Sequence, residues 1–109
     1  MISLDKIRKD LLNIRYYYAR KKVFDSVSGD VGLSKVRSMV DQYNRMVLLA
    51  PPRLFDIYVC LYTKGYTQER LAIELGVSPQ YVQSQHKRLL QFLQSHFDNR
   101  DHVDEEDGL

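Results

Sequence analysis

Between positions 80 and 88 the chain carries Gln80, Tyr81, Gln83, Ser84, Lys87 and Arg88. On a helix that starts at Pro79 they take the outward positions, because Val82, His86, Leu89 and Leu90 recur at the spacing of an inward stripe. A glutamine side chain donates and accepts at once, which matches the paired edge of adenine. Tyrosine and serine hydroxyls can meet bases or phosphate oxygens, and two cations a turn later suit phosphates. Ser78 and the free amides of the first turn offer another anion contact. Arg70, on the preceding helix, can add a phosphate contact. A plain solvated helix surface would also hold such glutamines and cations, so the setting of the helix decides between the two.

That setting is the segment Thr67 to Val82. Thr67 can cap a first helix, although Arg70 stands where a complete capping box would have Glu or Gln. Leu71 and Leu75 point inward, and Ala72 is small where two helices cross closely. Gly76 permits the positive backbone angle of a tight turn. Val77 plugs the space beneath it, Ser78 caps the next helix, and Pro79 takes the first helical position, where a missing amide hydrogen costs nothing. Together these residues predict a helix-turn-helix. Its second helix runs on through Leu89, Leu90 and Leu93 to about Phe97.

Three further helices are expected. One spans about Leu4 to Val23, capped by Ser3, with Leu4, Ile7, Leu11, Ile14 and Tyr18 on one face and Tyr17 a candidate to join them. A loop follows over Phe24 to Gly32, rich in serine and glycine. A second helix spans about Ser34 to Leu49, with Val36, Val40, Tyr43 and Val47 as its stripe; it packs on the first as a hairpin or pairs with a second copy of the chain. Ala50-Pro51-Pro52 ends it. The third helix covers about Arg53 to Lys64, stopped by Gly65. The expected class is therefore all-α: a helical hairpin over residues 1–50, a helix-turn-helix domain over 51–97 and a tail over 98–109.

Other chemistry is poorly served. Cys60, the single cysteine, sits in an apolar run and reads as a small core residue. No cysteine or second histidine stands three or four residues from His86, His96 or His102, so no metal or other cofactor is expected. No phosphate loop or paired nucleophile and base is present, which argues against an enzyme. No apolar run suits a membrane span or signal peptide, and a cytoplasmic setting is expected.

The net charge of +2 is unevenly spread. Residues 98–109 hold six acids and one base, against 15 bases and eight acids in the other 97 residues. A basic body with an acidic, disordered terminus suits a polyanion binder.

The stretch Pro52-Arg53-Leu54, then Leu61 to Glu69, then Leu71-Ala72-Ile73-Glu74-Leu75-Gly76-Val77-Ser78 resembles region four of bacterial sigma factors. The layout also resembles phage regulators of the ArpU and RinA type, with looser likeness over Leu12 to Tyr18 and Val40 to Asn44. The resemblance implies that Pro79 to Arg88 contacts duplex DNA and that RNA polymerase is a partner. It implies a phage or mobile-element transcription regulator, an activator of late genes. Gln85 departs from the pattern, which has an apolar residue there, and nothing resembles the sigma region that melts the −10 element. The competing expectation is a protein-interaction module that binds polymerase or another regulator without reading DNA.

Overall fold

The computed structural model describes the backbone of residues 2–26 and 31–107, and the side chains of 2–23, 26 and 35–97. Every regular element in these residues is helical, so the fold is all-α. The order is α1 (Leu4–Ala19), α2 (Lys21–Ser26), α3 (Val31–Val47), α4 (Pro52–Tyr58) with a π-helical turn (Val59–Thr63), α5 (Gln68–Leu75) and α6 (Pro79–Asp107). No helix among the described residues is long and apolar enough to cross a membrane.

Helix α1 begins as its sequence suggests. The Ser3 hydroxyl accepts from the Lys6 amide at 3.1 Å, and Ile7, Leu11, Ile14 and Tyr17 are buried on one face. It stops at Arg20, earlier than the expected Val23, where the backbone leaves the helical region. The apolar stripe has run out there, and the consecutive cations Arg20, Lys21 and Lys22 have no buried face to hold them in line. The chain restarts as α2, so part of the expected loop is helical; residues 27–30 of that loop lie outside the described residues.

Helix α3 starts and ends slightly earlier than expected, and buries Val40, Tyr43, Met46 and Val47. Pro51 and Pro52 open α4 rather than merely ending α3, with Pro at the first helical position. The third expected helix is not uniform. From Val59 it widens to a π turn, in which the Lys64 amide reaches the Val59 carbonyl at 2.9 Å. The Tyr66 amide then closes on the Cys60 carbonyl, and Gly65, at φ 76°, reverses the chain as predicted. Cys60 is half-buried against the core.

One apolar cluster joins both halves of the chain. It runs from Ile7, Leu11 and Ile14 through Tyr43 and Met46 to Ile57, Leu71, Val82, Leu89 and Leu93. Helix α1 packs on the π turn and on α6 as well as on α3, so the prolines at 51 and 52 separate helices that share a core. Fully burying one such side chain stabilises the fold by about 1.5–3 kcal/mol. Helix α6 carries on beyond the expected stop at Phe97, and its backbone is helical to Asp107 where the sequence suggests a disordered tail. Neither proline nor glycine occurs between Pro79 and Gly108 to break it. The side chains of the acidic segment lie outside the described residues.

One acid enters the core. Asp10 is 4% exposed; its carboxylate accepts from the Tyr43 hydroxyl at 2.7 Å and from Lys6 Nζ at 2.8 Å. Beside it, Tyr58 donates to Asn44 Oδ1, and Asn44 Nδ2 donates to the Tyr18 hydroxyl. Burial pushes the Tyr43 and Tyr58 phenols far above the usual range, with the Asp10 charge adding to the effect at Tyr43, so both stay protonated donors.

Candidate nucleic-acid interface

The pair α5–α6 is built by local chemistry. Thr67 Oγ1 accepts from the Arg70 amide at 3.1 Å and starts α5. Gly76 ends it in the left-handed region, at φ 67° and ψ 36°. A Cβ there would meet nothing within 4 Å, so the glycine is required by backbone angle and not by space. Ser78 Oγ accepts from the Tyr81 amide at 3.1 Å and starts α6. Leu71, Ala72 and Val82 are buried where the two helices meet, while Leu75 and Val77 are half-buried under the turn.

This inward packing fixes which residues of α6 face out. Gln80, Gln83, Ser84, Lys87 and Arg88 are exposed, and Tyr81 is partly so at 37%. None of the first five has a side-chain hydrogen bond or ion pair among the described residues, so their donors and acceptors are free for a ligand. The Ser78 oxygen serves the cap, which leaves its hydroxyl proton to donate outward. Gln85 is half-buried at the edge of the core stripe, tolerable for an amide that keeps contact with water.

Arg70 differs from the rest. It is exposed on α5, but its guanidinium stacks on the Tyr66 ring at 3.8 Å, and its Nε stands 3.9 Å from Glu74. The stacking holds the cation in one orientation. Tyr66 also has Lys64 Nζ at 6.0 Å from its ring centre.

Two further cations lie beside α6. Arg53, in the first turn of α4, lies with its guanidinium 5.8 Å from the Tyr81 ring centre. Arg8 of α1 lines a groove with Gln83, His86, Lys87 and Gln91 of α6. Each is brought to α6 by tertiary packing, which leaves no mark in local spacing. A second groove, between the starts of α5 and α6, is lined by Thr67, Gln68, Glu69, Pro79 and Gln83.

His86 is the polar member of the inward stripe. Its Nε2 lies at 2.5 Å from the Tyr62 hydroxyl. Burial, and then the Arg8 charge, hold its pKa below the usual 6.5. Burial pushes the Tyr62 phenol up to about 12 against the opposing pull of Arg15 and Arg8. The neutral pair therefore has Tyr62 donating to Nε2, with the ring proton on Nδ1.

No family model, no curated protein and no solved structure matches this chain. Among the described residues no cluster of His, Cys, Asp and Glu could hold a metal ion.

Proposed function

We propose that the chain is a sequence-specific DNA-binding transcription regulator, with α5–α6 acting as a helix-turn-helix and α6 as the recognition helix. One observation carries the reading: on a continuous outward strip of α6, Gln80, Gln83, Ser84, Lys87 and Arg88 are exposed, polar and without a side-chain hydrogen bond or ion pair among the described residues, while the opposite side is core. Such a helix presents its N-terminal side chains to base edges in the major groove. Gln80 and Gln83 would read bases, Tyr81 and Ser84 would touch bases or phosphates, and Ser78, Lys87, Arg88 and Arg70 would hold phosphates. The resemblance adds a phage or mobile-element setting and activation of late genes next to RNA polymerase, and the proposed setting is the cytoplasm. Recovery of bound fragments from a genomic duplex pool tests it: enrichment of one motif supports the reading, and absence of duplex binding removes it.

A second reading has its own observation. Leu12 and Tyr16, one turn apart on α1, are 60% and 54% exposed, and Ile73 on α5 is 80% exposed. These suit contact with polymerase, another regulator or a second copy of the chain. Binding to polymerase without binding to DNA would favour it.

A further inference from the structure

We propose that Arg8 is a phosphate-contacting residue, so that the N-terminal helix forms part of the DNA-binding surface. The proposal rests on the DNA-binding reading and adds a residue and an element that lie outside the helix-turn-helix.

Three observations carry it. First, Arg8 lines one groove with Gln83 and Lys87, both on the outward strip of α6. Gln83 also lines the groove at the start of α5, so Arg8 continues the flank of α6 along which the Thr67 end of α5 already lies. Second, this flank is distinct from that of Arg53. Tyr81 and Gln83 are two residues apart, hence about 200° apart around the helix axis. Arg53 stands by Tyr81 and Arg8 by Gln83, so the two arginines bracket the recognition helix from opposite sides. A helix seated in a major groove has a phosphate backbone on each side, which is where two flanking cations would bind. Third, Arg8 is available. Its side chain is 54% exposed, and its internal partner is the 87% exposed carboxylate of Asp5, at 3.2 Å. Water screens such a surface pair, and a phosphate can displace Asp5. Lys6, by contrast, is committed to buried Asp10. The histidine in the groove, His86, is held neutral and turned to Tyr62, so Arg8 and Lys87 supply the positive charge there.

The test uses the full chain and a labelled duplex of mixed sequence, titrated over a series of salt concentrations. One phosphate contact contributes about 0.9 to the slope of log K against log salt. Arg8→Gln should weaken binding at low salt and lower that slope by about 0.9, while Arg8→Lys restores it. A thermal melt of Arg8→Gln equal to that of the parent chain shows that the effect is not unfolding. Should Arg8→Gln bind with the parent slope while Lys87→Gln loses a contact, the Arg8 proposal is overturned and the DNA reading stands. Failure of the parent chain to bind duplex at any salt overturns both.

Discussion

The Tyr62 hydroxyl, on the π turn that closes α4, donates to Nε2 of His86 on α6. This bond ties the scaffold to the inward side of the helix whose outward side carries Gln83 and Lys87. It also makes stability depend on pH. The folded-state pKa of His86 is depressed by burial and by Arg8, so the unfolded chain takes up its proton first as pH falls. The contribution is complete above the ordinary value of 6.5 and is lost as pH falls through the lower folded-state value. Thermal melts from about pH 7.5 to pH 5 should show the parent chain losing stability across this window. His86→Asn should be less stable at neutral pH and flatter across the window. Equal pH dependence of the two chains would rule out this role for His86.

Gly76→Ala should destabilise the fold by about 1–2 kcal/mol, the cost of the left-handed backbone for a residue with a Cβ. No steric cost adds to it, because the space beside Gly76 is open. For a domain of this size that is a fall in melting temperature of very roughly 4–16 °C. An unchanged melt would show that the turn relaxes without penalty.

Tyr43→Phe removes the hydroxyl that Asp10 Oδ2 accepts from, and leaves a buried carboxylate oxygen short of a donor. The expected loss is about 1–3 kcal/mol. In a double-mutant cycle with Asp10→Ala, the second change should cost much less once the first is made. Additive effects in denaturant melts would mean that the two side chains are not coupled.

The α5–α6 turn was legible in the sequence where each residue acts on its close neighbours. Thr67, Gly76, Ser78 and Pro79 cap and turn the backbone within four residues of themselves, so type and spacing reveal them. Asp10 was half legible: it stands three after Ile7 and four before Ile14, on the buried face, yet its Tyr43 partner is 33 residues away. The π turn was not legible, because the pattern of Tyr58, Leu61 and Tyr62 is the same for an α-helix. The placement of Arg8 and Arg53 beside α6 was not legible, because packing alone brings them there. The break at Arg20 could be anticipated only by giving the run of three cations more weight than the absence of glycine and proline.

Arg53→Ala should weaken duplex binding about uniformly across sequences and reduce the salt slope by roughly 1, because its place beside Tyr81 suits a phosphate rather than a base. Anisotropy titrations on a preferred and a scrambled duplex check this. A loss confined to the preferred sequence would instead make Arg53 a reader of bases or a support for Tyr81.

The most direct measurement is motif selection from a random duplex pool by the parent chain and by Gln80→Ala/Gln83→Ala. If α6 reads base edges, the parent enriches a motif, and the double variant keeps salt-dependent binding but enriches none. Enrichment of the same motif by both chains, or no duplex binding by the parent, would contradict the assignment of α6 as the recognition helix.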